Sequence, residues 1–173
     1  MKDIILTLTG PDATGIVARL AAIAEKHGGN WLDSRMMRMG GHFSGILRLA
    51  MPEESLESFR SEVAVFMEET GYRFALEPDD RGVEPSPGRT TTLELSGQDH
   101  PGIVHAIFTV FQKSGVNVEE LHTGLSIAPW SGTPVFEAKA DLRLPVGLSL
   151  DDLHQDLEAV STDLLVDLEF KEK

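Results

Sequence analysis

The stretch Leu95-Ser96-Gly97-Gln98-Asp99-His100-Pro101-Gly102-Ile103-Val104 has a near copy close to the N-terminus, Leu8-Thr9-Gly10-Pro11-Asp12-Ala13-Thr14-Gly15-Ile16-Val17. Each copy runs from alternating apolar residues, through a turn bounded by glycines, into a helical period. In the later copy Leu93 and Leu95 alternate with Thr92, Glu94 and Ser96, as a strand with one buried face should. Past the turn, Ile103, Val104, Ile107, Val110 and Phe111 fall on one helical face. The pattern predicts strand, tight loop, helix. Such a loop leaves the first N–H groups of the helix without intrahelical partners, at the end where the helix dipole favours anions, so a carboxylate could sit there. In a plainer reading Asp12 and Asp99 cap their helices and the glycines only make the turn.

Outward from the first copy, the pattern is that of a small α+β unit. Ile4, Leu6 and Leu8 mark a strand, and Ile16, Val17, Leu20, Ile23 and Ala24 a helix stopped by Gly28-Gly29. Asn30 opens a second strand to about Met39, Gly40-Gly41 makes a two-residue hairpin turn, and Phe43 to Ala50 is the third strand. Trp31, Leu32, Met36, Met37 and Met39 put apolar residues on both faces of strand two, so a cover for the second face is expected; the methionines read as packing residues. Leu56, Phe59, Val63, Phe66 and Met67 space out a second helix ending at Gly71, and Tyr72, Phe74 and Leu76 alternate in a fourth strand.

From 78 to 89 the composition turns to Pro, Asp, Arg, Gly, Glu and Ser without periodicity, which marks a linker between a first domain at 1–77 and a second at 90–173. The order then repeats. A helix is predicted from about Pro101 to Ser114, a strand opens at Val116-Asn117, and Ala128-Pro129-Trp130-Ser131-Gly132-Thr133-Pro134 replaces the tight hairpin. Ser149 can cap the next helix with Asp152 three positions on, and Val166, Leu168 and Phe170 finish as a strand. A shift of 87 residues carries Leu6 to Leu93, Gly10 to Gly97, Asp12 to Asp99, Gly15-Ile16-Val17 to Gly102-Ile103-Val104, Gly28 to Gly115 and Asn30 to Asn117. This is duplication of a whole domain. Connection rules favour, in each copy, a four-stranded antiparallel sheet with two helices on one face, the ferredoxin-like βαββαβ arrangement.

Composition narrows the chemistry. With 173 residues, 41% of them hydrophobic, the chain can build one large or two small cores. The absence of cysteine excludes disulfides, thiolate metal sites and cysteine nucleophiles. No apolar run approaches a membrane span and the N-terminus carries no signal-peptide core, so a cytoplasmic location is expected. A formal charge of −13 repels nucleic-acid phosphates, and no lysine or arginine cluster offsets it.

Gly-x-Asp-x-x-Gly-Ile-Val between strand and helix, with Gly-Gly-Asn or Gly-Val-Asn entering strand two, resembles the ACT domain, a small regulatory module that binds amino acids. The resemblance covers nearly the whole chain, twice over, with Asp99-His100-Pro101-Gly102-Ile103-Val104 the closer match; the first copy carries Ala13-Thr14 where the proline-containing turn is expected. Two such domains alone most resemble the glycine cleavage system transcriptional repressor family, although a similar module also begins formyltetrahydrofolate deformylases. The resemblance implies pairing of modules and a ligand, glycine or serine, against the loop before helix one and the start of strand two. The site residues it implies are Gly97, Gln98, Asp99, His100, Gly102, Ile103 and Asn117, with Gly10, Asp12, Thr14, Gly15, Ile16 and Asn30 in the first copy. Chemically, N–H groups around Gly102 and Ile103 would take the carboxylate and Asp99 or Asn117 the ammonium, with Gly97 and Gly102 admitting close approach.

Against an enzyme, no Gly-x-Ser-x-Gly elbow, phosphate-binding Gly-Lys-Ser/Thr loop or His-Glu-x-x-His occurs. His100 and His105, five apart on the expected helix, split onto different faces, and with His122 they read as surface or turn histidines rather than metal ligands. No cofactor and no metal are expected. The sequence thus points to a non-enzymatic, amino-acid-responsive regulator acting through a partner protein, with a homodimer one assembly it allows. The alternatives are an interaction adaptor that binds no small molecule and a regulatory module acting on a metabolic enzyme.

Overall fold

The computed structural model describes residues 1–79, 87–129 and 131–172. The chain divides into two compact units, Met1–Gly82 and Val83–Lys173. The first runs β1 (Lys2–Pro11), α1 (Ile16–Lys26), β2 (Asn30–Met39), β3 (His42–Met51), α2 (Leu56–Thr70) and β4 (Arg73–Pro78). The second repeats this as β5 (Gly88–Gln98), α3 (Ile103–Lys113), β6 (Asn117–Ile127), β7 (Pro134–Pro145), α4 (Leu150–Leu164) and β8 (Val166–Glu172). Strand orders are β2-β3-β1-β4 and β6-β7-β5-β8, every neighbouring pair antiparallel. Each unit is the ferredoxin-like βαββαβ fold that the repeated grammar predicts.

Alternation builds the layers. Ile4, Leu6 and Leu8 of β1 and Leu47, Leu49 and Met51 of β3 turn the same way, meeting Leu20 of α1 and Phe59, Val63 and Phe66 of α2 in one core. In the second unit Leu93, Leu95, Leu142 and Leu144 meet Ile107 and Phe111 of α3 and Leu153 and Leu157 of α4. Each such side chain contributes about 1.5–3 kcal/mol on burial, set against the chain entropy lost. The hairpin between β2 and β3 turns on Gly40 and Gly41, with φ of 56° and 80°, the left-handed pair that a two-residue turn requires. Ser149 caps α4 as its spacing to Asp152 predicts, its Oγ accepting from the Asp152 N–H at 3.0 Å.

Three local expectations change. Helix α3 begins at Ile103 rather than near Pro101, because Gly102 stands in a left-handed conformation that ends the loop. Strand β2 bulges between Trp31 and Asp33, which turns Trp31 and Met36 to the core and leaves Leu32, Met37 and Met39 exposed, so only Met36 of the three methionines packs. Of the expected linker at 78–89, Pro78 ends β4 and Gly88 and Arg89 open β5, while the Asp79 N–H donates to the Asp3 carbonyl at 2.9 Å; residues 80–86 lie outside the described residues, as does Trp130. Among the described residues no helix is long and apolar enough to cross a membrane.

Candidate functional site

Both loops of the repeated motif end in the same way. Gly15 (φ 91°) and Gly102 (φ 104°) take the N-cap positions of α1 and α3 in the left-handed region, with no side chain capping either helix. The capping reading of Asp12 and Asp99 is therefore overturned: neither carboxylate reaches its helix, and the first turns are left for something else to satisfy. The main chain of each loop is pinned to the neighbouring hairpin, the Asp12 N–H donating to the Gly41 carbonyl at 3.0 Å and the Asp99 N–H to the Pro134 carbonyl at 3.1 Å. Thr14 sits in the exposed turn before Gly15, and Gln98 ends β5 opposite Val135.

The two aspartates differ in what they face. Asp12 is held by Arg38, Oδ2 to Nε at 2.5 Å. Arg38 stands on β2 opposite Phe43, which pairs with Gly10. The corresponding place on β6, opposite Phe136 and so level with Gly97, is Leu125, which is 67% exposed. A leucine offers no counter-charge. Asp99 accordingly has no salt bridge among the described residues, and its charge acts instead on the neighbouring His100, in the loop before the uncapped start of α3.

His100 precedes the helix rather than lying on it, so it shares no helical face with His105. Its ring bridges two main-chain oxygens: Nε2 lies 2.9 Å from the Leu164 carbonyl in the last turn of α4, and Nδ1 3.1 Å from the Pro101 carbonyl. The Leu164 carbonyl first, the Pro101 carbonyl second and the charge of Asp99 after them raise the His100 pKa above its ordinary value, with the partial loss of solvent opposing. Both ring nitrogens thus lie against main-chain oxygens.

Gly10 and Gly97 also serve packing. A β-carbon on Gly10 would lie 2.5 Å from the Tyr72 ring, and one on Gly97 would lie 2.5 Å from Val166 Cγ1 and 2.8 Å from the Leu165 carbonyl. The space at Gly97 is filled by the chain's own corner between α4 and β8, not held open for a ligand. Asn30 and Asn117 stand far from the loops of their own modules. Asn30 is level with Asp3 through Ala50, seven residues along β1 from Gly10, and Asn117 is level with Thr90 through Arg143, seven along β5 from Gly97. At about 3.3 Å per residue this is roughly 23 Å, so one small molecule cannot touch both ends of one module.

Two grooves mark the second unit. One of about 510 Å³ crosses the open sheet face beside Glu94, His122, Glu137, Lys139 and Glu169, and one of about 750 Å³ runs between α4 and β8 beside His154, Glu158 and Leu165. Neither is lined by Gly97–Ile103 or Asn117. Lys139 and Lys171 flank Glu94, and their hydrogen bonds, Lys171 first, hold its carboxyl below the usual range.

In the first unit the fold also assembles a set of groups that no motif announced: Ser58 Oγ 3.1 Å from His27 Nδ1, and His27 Nε2 2.8 Å from Glu62. Ser58 donates its own proton to the Ser55 carbonyl at 2.9 Å, so the hydroxyl is not activated as a nucleophile; the set braces α1 against α2. Residues spaced across two helices leave no local signal in sequence. Among the described residues no group of three or more metal-ligating side chains comes together.

Comparison with known proteins finds a family match for the first unit. Residues 2–76 match the family model of the ACT domain. A crystal structure of an unknown protein from Galdieria sulphuraria superposes with a TM-score of 0.83 at 25% identity, covering 99% of this chain and 98% of that one. A candidate glycine cleavage system transcriptional repressor superposes with a TM-score of 0.72 at 16% identity over the same shares, a likeness of fold. No curated protein matches the sequence.

Proposed function

We propose that this chain is an ACT-domain regulatory protein that senses a small amino acid at the loop of its second module, a reading supported by the match of residues 2–76 to the ACT-domain family model. The observation that carries the reading is the Asp99 carboxylate, which has no salt bridge among the described residues, in the loop before a helix start that no side chain caps. A zwitterion needs donors for its carboxylate and an acceptor for its ammonium within a few ångströms. The first-turn N–H groups of α3, beginning at Ile103, supply the donors and Asp99 the acceptor. In the first module Arg38 already occupies Asp12, so Gly10, Asp12, Thr14, Gly15, Ile16 and Asn30 form the weaker site. Asn117 joins the ligand only if a second copy of the module brings its strand opening to the loop, which makes pairing of modules part of this reading and a homodimer one form of it.

Glycine and serine are the ligands proposed, each a small zwitterion that one carboxylate and the first turn of a helix can hold. The output goes to a partner regulatory protein in the cytoplasm, controlling transcription of amino-acid or glycine-cleavage metabolism. A charge of −13 disfavours direct contact with DNA, and the reading assigns no reaction to the chain. The second reading, an adaptor without a ligand, is favoured by one observation: the two grooves of the second unit leave the loop out. Thermal unfolding in the presence of each free amino acid separates the two. A ligand at a hundred times its Kd adds about 2.7 kcal/mol to stability; no shift with any of them selects the adaptor.

A further inference from the structure

Each module ties its loop to the corner between its second helix and last strand, and the ties differ in chemistry. In the first, Tyr72 from the corner donates its hydroxyl to the Pro11 carbonyl at 2.7 Å, and burial, then Asp12, pushes its pKa further above the ordinary tyrosine value. That bond is therefore indifferent to pH around neutrality. In the second module the corresponding corner residue is Val166, which donates nothing from its side chain, and the tie runs the other way, from His100 in the loop to the Leu164 carbonyl. Position 13 in the first loop is alanine, which can make no such tie.

A carbonyl oxygen only accepts. An imidazole placed between two of them can satisfy both only with a proton on each nitrogen, which is the cation. The neutral ring must turn a lone pair toward one carbonyl and lose that bond. The Leu164 oxygen is also among the last carbonyls of α4, at the negative end of the helix dipole, which further favours the charged ring. The titratable and charged groups closest along the chain to this junction are Asp99 and His105 at the loop and first turn of α3, Asp163 in the last turn of α4 and Asp167 in β8; farther along α4 and β8 stand His154, Glu158, Glu169 and Lys171. No lysine or arginine occurs in 95–105, 127–134 or 160–170.

We propose that His100 is a positioning residue, an imidazolium clamp that fastens the Asp99–Gly102 loop to the last turn of α4 and lets go when the ring loses its proton. The clamp sets the geometry of the second loop alone, so the two modules respond differently to pH. Its raised pKa fixes the sign: the clamp is fully present below the ordinary histidine value of about 6.5 and is lost as pH rises through the higher folded value. That the loop receives a ligand rests on the function proposed above; the clamp does not, and its test needs no ligand, so the two can fail separately.

The test is NMR on the full chain across neutral pH, following the His100 ring and the exchange of the Asp99, Gly102 and Leu165 amides, corrected for intrinsic rates. The expected result is a His100 midpoint above about 6.5 and loss of amide protection with that same midpoint. His100→Gln should abolish the step, and His100→Arg, which keeps a permanent charge with several donors, should hold the protection without a pH dependence. A ring that titrates at or below the ordinary value, or an unchanged step in His100→Gln, overturns the clamp. Should a variant fail to fold, the wild-type titration still decides.

Discussion

The Tyr72 ring stands where a β-carbon on Gly10 would have to be, its Cγ 2.5 Å from that position, while its hydroxyl donates to the Pro11 carbonyl. Glycine here is a packing requirement. Gly10→Ala is expected to force the ring or the strand aside at a cost of about 1–3 kcal/mol. Urea unfolding followed by tyrosine and tryptophan fluorescence checks it, with the midpoint falling and the slope unchanged.

The helix α4 ends on Leu165 in the left-handed region (φ 53°, ψ 46°), 75% exposed, where α2 ends on Gly71 with φ 73°. A side chain costs roughly 1–2 kcal/mol in that conformation, and glycine returns part of this through its freer unfolded chain. Leu165→Gly is predicted to stabilise the protein by about 0.5–1 kcal/mol. A lower melting temperature in calorimetry would contradict it.

Glu94 lies between Lys139 and Lys171, whose hydrogen bonds depress its pKa from an ordinary 4.5. A depressed folded pKa gives stability that is present above the ordinary value and lost as pH falls through the folded one. Wild type should therefore lose more stability than Glu94→Gln on acidification below about pH 4.5. Parallel pH profiles of the denaturation midpoint would remove Glu94 from the account.

The architecture was largely legible in sequence because it rests on short-range signals. The alternation at Leu93 and Leu95, the Gly40-Gly41 turn and the Ser149–Asp152 cap each sit within a few residues and agree with one another. The repeat did the rest, since a shift of 87 placed the first strand, the first helix and the opening of the second strand of one copy on those of the other, and the same order of elements followed. The site was less legible because its particulars depend on partners far along the chain. Nothing near Asp12 announces Arg38, and nothing near His100 announces the Leu164 carbonyl, 64 residues away. The distance of the asparagines from their own loops was hidden for a related reason. Their place at the start of strand two is visible, but only the strand register shows that it lies at the other end of the sheet.

The charge of −13 bears directly on the function proposed above. The purified protein should not retard duplex DNA at low micromolar concentration, because each approach meets repulsion and no basic helix offsets it. Salt-dependent retardation in a gel would show that the field of the whole molecule is not what decides.

Asp99 is the residue on which the proposed ligand site turns. Among the described residues its carboxylate caps no helix and makes no salt bridge, so Asp99→Ser should leave stability within about 0.5 kcal/mol of wild type. The most direct measurement is a calorimetric titration of wild type and Asp99→Ser with whichever amino acid most raises the melting temperature. A charge-assisted hydrogen bond of about 1.5–3 kcal/mol predicts at least about tenfold weaker binding by the variant. Equal affinities in the two proteins would contradict the assignment.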